Sequence, residues 1–551
     1  MSPLSSSVPS VPSLPSPLPP PRLLPPLLVN GLDLGVEDTV AVARDNAREL
    51  ALCPEAALRM KDTYDLKEKL IATGQPIYGV TTGFGDSVTR QISPQKAAAL
   101  QLNLIRYHLN GTGPEASDEV VRATVLIRAN CLSRGNSGVG PVVVERLLDL
   151  LRHDVLPVVP ERGSVGASGD LVPLCYIASV LTGSGSVRFR GEVREAAEVF
   201  AELGLEPLVP EAKDGLALIN GTSFSSAFAV LAAAAAERLA GVAALCTAMA
   251  SEALLGNRGH FAAFIHEAKP HPGQLAGAEL IAQLLADSRL ALPHSQVLDL
   301  NDPLDDAGFQ HLRRSIQDRY SIRCAPHVIG VLIDTATWAS RWLSVEINSS
   351  NDNPLFDVDG GTVHSGGNFY GGHVVQAMDS LKTAVANIAD LLDRQVQLLV
   401  DEKFNNGLTP NLIVPAEQDS WEAGLHHGFK GMQLACSAVT AEALKGTNPA
   451  SVFSRSTEAH NQDKVSMAPI AARDARTVVG LVEEVAAIHL LTACQALDLR
   501  GAELMGSRTR AAYDLIRTRA PFVDTDRRMD ADIAAVVALI RSGTFDELLT
   551  S

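Results

Sequence analysis

Three features of this 551-residue chain predict a mainly α-helical fold. Apolar residues recur at i, i+3 and i+4 from residue 36 onward, the spacing that gives a helix one buried stripe. Runs with β-type alternation are few and short. The apolar content, 46% of residues, is rich in alanine and leucine and only 5% of the chain is aromatic, a composition suited to close helix packing. In chain order, the pattern predicts helices over residues 120–132, 142–151, 223–255 and 383–399. The run 223–255 is the one stretch that resembles a membrane span. Glu237, Arg238 and Glu252 interrupt it, so a buried central helix is expected there and not a transmembrane one. The clearest strand is residues 186–193, and the chain has no internal repeats.

The net charge of −17 and the lack of any Lys/Arg stripe exclude a nucleic-acid-binding role. The acidic balance serves solubility. Seven cysteines, at 53, 131, 175, 246, 324, 436 and 494, are scattered and odd in number. They predict reduced thiols in the cytoplasm, with neither a metal site nor a disulfide framework. Residues 1–28 form a Pro/Ser tail without a basic leader, so it is not a signal peptide. Disorder or polyproline II suits it, as a passive extension or, alternatively, as a ligand for a proline-binding partner. By length the chain has room for two to four domains.

The most informative stretch is residues 163–171 (GSVGASGDL). Its small residues let the backbone approach itself closely, and only glycine lets an amide nitrogen fold back onto a carbonyl carbon two residues earlier. The nitrogen of Gly169 is placed to attack the carbonyl of Ala167. Loss of water from the ring and from the Ser168 side chain would then leave an exocyclic methylidene. That group is an electrophile in a chain whose ordinary side chains are nucleophiles.

Residues 163–182 (GSVGASGDLVPLCYIASVLT) closely resemble the signature of the aromatic amino acid ammonia-lyase and aminomutase family. Six further segments resemble its motifs in the same order: 78–85 (YGVTTGFG), 215–222 (GLALINGT), 317–323 (QDRYSIR), 348–354 (NSSNDNP), 366–369 (GGNF) and 460–463 (HNQD). The resemblance runs from about residue 29 to beyond residue 500, so residues 29–551 are expected to form one lyase-like domain. It implies a bundle of long helices assembled as a homotetramer, with active sites drawn from several subunits. It also implies 4-methylideneimidazole-5-one (MIO) as the prosthetic group, formed from Ala167, Ser168 and Gly169, with no metal, no membrane and no nucleic acid among its partners. The implied reaction removes an α-amino group and a β-proton from an aromatic amino acid. Whether activation runs through the amine or through the ring is left open by sequence.

The resemblance also assigns roles. Tyr78 matches the lid base; a phenol with a solution pKa of ~10 needs a cationic or hydrogen-bonding environment to act as phenolate. Gly79, Gly83 and Gly85 suit a mobile lid. Arg323 matches the carboxylate clamp, where a planar guanidinium makes a bidentate pair, and Gln317 and Tyr320 support it. Asn220 matches the residue that hydrogen-bonds the MIO carbonyl, and Phe369 the aromatic that lines the group. Asp170 has two readings, assistance to cyclisation or a helix N-cap.

Substrate choice is read from fewer positions. Histidine ammonia-lyases carry Glu where Gln462 stands, which argues against histidine. Lys430, Glu458 and Asn461 resemble the plant phenylalanine lyase pattern. The ring-facing pair, Tyr107 and His108, resembles tyrosine-active bacterial members in its polarity, which favours tyrosine with phenylalanine as the competitor. His327 and Tyr370 depart from the usual motifs. Asp86, directly after the lid glycines, resembles an acidic residue of some aminomutases, so a 2,3-aminomutase is the alternative to a lyase. A catalytically dead helical scaffold would have lost Ser168 or Tyr78, and both are present.

Overall fold

The computed structural model describes residues 25–45, 48–306 and 308–550. Its centre is a set of long helices that pack along one another. They are α1 (Asp118–Ser133), α2 (Ser223–Ala253), α3 (Ala325–Glu346), α4 (Gly372–Val400), α5 (Lys430–Lys445) and α6 (Ala468–Arg500). Alanine explains the longest two. It has the best helix propensity and the smallest side chain after glycine, so α2 and α6 run unbroken and approach closely. Nearly every side chain of α2 is buried, including Glu252. The expected helices at 120–132, 142–151, 223–255 and 383–399 are all present, the last extended to α4.

By length and composition two helices resemble membrane spans, α2 and also α6, which the sequence reading passed over. Both are core helices, with 78% of the apolar window buried inside the protein.

Strands are short and peripheral. The run at 186–193 is a hairpin, Ser186–Phe189 paired with Glu192–Glu195 across Arg190 and Gly191. The expected tail meets the body earlier than residue 29. Leu27 and Leu28 belong to a strand, Leu27–Val29, that pairs in parallel with Leu50–Leu52, because Leu27 and Val29 are apolar side chains with a core to enter. Of the tail expected over residues 1–28, residues 1–24 lie outside the described residues.

Three helix N-termini meet residues 163–170, and a fourth, that of α4, lies beside them. Asp170 immediately precedes the helix Leu171–Leu181, and its carboxylate accepts from Ser225 N (2.7 Å) and Ser225 Oγ (3.0 Å) at the start of α2. Ser466 and Met467, before α6, donate their backbone N–H groups to the carbonyls of Gly166 and Val165. Gly371, before α4, packs against Ala468 and Thr222. Each N-terminus carries about half a positive charge, so the loop sits in a positive field built by the backbone alone.

Candidate active site

The loop 163–170 forms one wall of a cavity of ≈ 340 Å³. Ser164 Oγ donates to the carbonyl of Gly169 (3.2 Å) and accepts from Gly166 N (3.1 Å), which ties the loop to itself. Gly169 has φ +74, and a Cβ there would lie 2.1 Å from the carbonyl oxygen of Gly221. No other residue fits that conformation and that contact together. Asn220 Nδ2 donates to the carbonyl oxygen of Ser168 at 2.7 Å. Its own Oδ1 accepts from Asn353 N at 2.8 Å, which fixes which end of the amide faces Ser168. Gln462 Nε2 donates to Ser168 Oγ at 3.2 Å. The reactive serine is thus held at both of its oxygens.

Tyr78 lies across the cavity, half-buried, and its hydroxyl accepts from Gly85 N at 3.0 Å. Burial pushes its pKa up, the Gly85 contact pulls it down and Glu458 raises it again. The phenolate therefore gains little within this chain and needs a cation brought to it. Glu458 Oε1 accepts from Asp86 N (3.0 Å) and Oε2 from Asn461 Nδ2 (2.7 Å), so it bridges the lid to the 458–462 turn. Tyr107 and His108 end the helix Ala97–Tyr107 and reach the same cavity, with Phe369 on another side. His108 Nδ1 lies 2.9 Å from the carbonyl of Leu104. A carbonyl only accepts, so Nδ1 carries the hydrogen and Nε2 is left as an acceptor. Burial lowers the His108 pKa, which keeps the ring neutral.

Eleven of the expected site residues thus meet in one cavity: Tyr78, Tyr107, His108, Ala167, Ser168, Asn220, Phe369, Glu458, Asn461 and Gln462 line it, and Gly169 closes the loop beneath. Gln317, Tyr320, Arg323 and Lys430 do not. Arg323 Nη1 donates to Gln317 Oε1 at 2.5 Å, and its guanidinium stacks 4.6 Å from the Tyr320 ring, in a separate basic cleft with Arg313, Arg314 and Arg319. Tyr320 is 72% exposed, and Lys430 is exposed at the start of α5. Asp170 caps α2 and not its own helix, since its carboxylate reaches Ser225. The sequence reading passed over Leu104, Leu216 and Phe84 as cavity residues. Leu104 was discoverable, because it sits four residues before His108 on the same helix face. Among the described residues no group of three or more His, Cys, Asp or Glu is placed to hold a metal.

Comparison with known proteins agrees with this architecture. The aromatic amino acid lyase family matches residues 34–518. The chain belongs to that family. It is 41% identical over 94% of its length to a histidine ammonia-lyase of Gloeobacter violaceus, spanning 96% of that protein. It is 39% identical over 95% of its length to a tyrosine ammonia-lyase of Cupriavidus metallidurans, spanning 97% of that protein. The crystal structure of the tyrosine aminomutase from Streptomyces globisporus superposes with a TM-score of 0.89 at 34% identity, covering 95% of this chain and 98% of the other. As a member of this family the chain is an enzyme of the carbon–nitrogen lyase class. The family uses MIO, and the tripeptide here fits it: the carbonyl that would belong to the ring already has a donor, and glycine alone fits at 169.

Proposed function

We propose that this enzyme is an MIO-dependent ammonia-lyase that eliminates ammonia from L-tyrosine, with L-phenylalanine as the competing substrate, giving p-coumarate or cinnamate. The observation that carries the reading is the 2.7 Å contact of Asn220 Nδ2 on the Ser168 carbonyl, facing Tyr78 across the cavity. MIO, held by residues 167–169, would supply an electrophilic alkene to activate the substrate. The rest is the work of this chain's own groups. Asn220 donates to the carbonyl that withdraws charge, as an oxyanion donor does. Tyr78 takes the β-proton on its phenolic oxygen. His108 offers a neutral Nε2 acceptor, which suits the O–H of a para-hydroxyl. Gln462 lines the cavity and offers no carboxylate to an imidazole.

The carboxylate clamp needs Arg323, with Gln317 and Tyr320, and these lie in a different cleft of the same chain. We therefore read the enzyme as a homotetramer in which another copy brings its 317–323 segment, and with it a cation, to the Tyr78 cavity. Lys430 takes part on the same reading. The seven unpaired thiols support the cytoplasm as its location.

The second reading is a tyrosine or phenylalanine 2,3-aminomutase, which returns the amine to Cβ. It is supported by the similarity to a tyrosine aminomutase structure and by the bond between Asp86 N and Glu458, which links the lid segment to the 458–462 turn. Incubation with L-tyrosine, L-phenylalanine and L-histidine, followed by product analysis, tests both. An arylacrylate from tyrosine supports the lyase, a β-amino acid supports the aminomutase, and urocanate alone overturns the substrate assignment.

A further inference from the structure

Beneath the turn 220–222 lies a cation that the chemistry above does not use. Arg128 is on α1, fully buried at 1% exposure. Its Nη1 donates to Asn351 Oδ1 at 2.9 Å, while Nε and Nη2 have no hydrogen-bond partner. Burying a charged group with two donors unused is costly and calls for a compensating role. The neighbouring carboxylates are committed elsewhere: Asp352 accepts from Lys213 Nζ at 2.6 Å and from Ser137 Oγ at 2.9 Å, and Glu346 accepts from Thr222 Oγ1. What the guanidinium touches instead is Gly221, where a Cβ would lie 2.1 Å from Arg128 Nη1. Gly221 is flanked by Asn220, which donates to the Ser168 carbonyl, and its own carbonyl accepts from Asp170 N at 2.7 Å. Asn351 extends the same support, donating to Thr222 Oγ1 at 2.9 Å.

We infer that Arg128 is a positioning residue for maturation of the 167–169 tripeptide, holding positive charge behind the turn that presents Asn220 to the Ser168 carbonyl. The inference rests on the reading that these residues form MIO. In the first half of that maturation, Gly169 N bonds to the Ala167 carbonyl carbon. The oxygen of Ala167 leaves as water with the protons of Gly169 N and Ser168 N, and the electron pairs close a C=N bond. In the second half, Ser168 Cα gives up its proton and the electron pair moves onto the Ser168 carbonyl oxygen. That pair then returns as the Cα–Cβ double bond, and the Oγ leaves with a proton as the second water. Negative charge thus appears transiently on the oxygen held by Asn220, and a cation one residue behind stabilises it in a medium that screens poorly.

The test follows maturation itself, independent of turnover. Wild type, Arg128→Lys and Arg128→Met are synthesised in a cell-free mixture, and intact mass is read against time alongside thermal unfolding. Wild type should lose two waters. Arg128→Met, which replaces the buried cation with an apolar group of similar length, should fold yet lose them roughly tenfold more slowly or not at all. Arg128→Lys should fall between, because charge is kept while contact with Gly221 is not. Full and equally fast loss of two waters in every folded variant overturns the role of Arg128. If Arg128→Met does not fold, the comparison of Arg128→Lys with wild type decides, and equal rates overturn it. A wild type that keeps its encoded mass overturns the MIO reading itself, a separate failure.

Discussion

The Ser168 loop and the Gln317–Arg323 segment carry two parts of the proposed chemistry, and the chain builds them in opposite ways. At Ser168 itself the polar atoms are held: both serine oxygens have donors, and Asn220 is oriented by Asn353. Around Arg323 the groups are loosely paired. Tyr320 is exposed, Arg323 Nε has no partner, and the neighbouring arginines crowd one cleft. If another copy supplies the clamp, as proposed, the difference teaches that an electrophile is held rigid before substrate arrives, whereas a clamp is completed at an interface.

The sharpest way to break this contrast is to disable the rigid part. Ser168→Ala should keep the fold and its thermal midpoint but lose nearly all activity, since no side chain replaces an alkene. Tyr78→Phe keeps ring volume and should lower kcat by roughly 10²–10⁴-fold, the range for a lost general base. Steady-state kinetics with near-wild-type kcat for Tyr78→Phe would remove it from the mechanism.

The clamp offers the next test. Arg323→Lys keeps the charge but not the fork, so kcat/KM should fall by about tenfold or more, ~1.4 kcal/mol. Co-expression of Ser168→Ala with Arg323→Ala sharpens the point. If clamp and electrophile come from different copies, the mixed assemblies regain activity that neither variant has alone. Activity no greater than the sum of the two places both in one chain.

A smaller effect is expected on ring choice. His108→Leu should shift the tyrosine-to-phenylalanine ratio of kcat/KM toward phenylalanine by about 1–3 kcal/mol, the cost of stranding a buried hydroxyl. Tyr107→Phe combined with His108→Leu checks whether the Tyr107 hydroxyl substitutes. An unchanged ratio in both variants removes the direct support for tyrosine.

The smallest effect is on stability against pH. Burial raises the Asp170 pKa to about 7 from an ordinary 3.8. The folded state therefore binds the proton more tightly than the unfolded state does. Its contribution to stability is fully present below pH 4 and is lost as pH rises through 7. Asp170→Asn should flatten the fall in thermal midpoint between those pH values. The flattening is partial, because Glu252 is also raised to about 7 by burial and titrates in the same window.

Legibility in the sequence followed the length of chain over which each contact is made. The tripeptide, the Tyr78 turn and the 458–462 turn are contiguous and were assigned to one site before any geometry. So was Asn220, because its role was carried by resemblance. What periodicity could not give was partnership at long range. Asp170 reaches Ser225 across 55 positions and Arg128 reaches Asn351 across 223, and no local rule encodes either. The boundary of the tail was misplaced for a similar reason, since Leu27 gains its strand only by pairing with Leu50. The separation of Arg323 from the cavity within one chain is likewise a long-range property that no local motif encodes.

The anchoring of the tripeptide loop also sets a clock. Gly166 and Val165 are bound by Ser466 and Met467, about 300 residues later in the chain. A nascent polypeptide therefore carries the Ala-Ser-Gly sequence for most of its synthesis without the shape that brings Gly169 onto Ala167. On the proposed MIO chemistry, ripening of the chain would report that its last long helix has docked. A ribosome-held chain ending before residue 466 should show no loss of water, while the released full-length chain should show it on the timescale of folding.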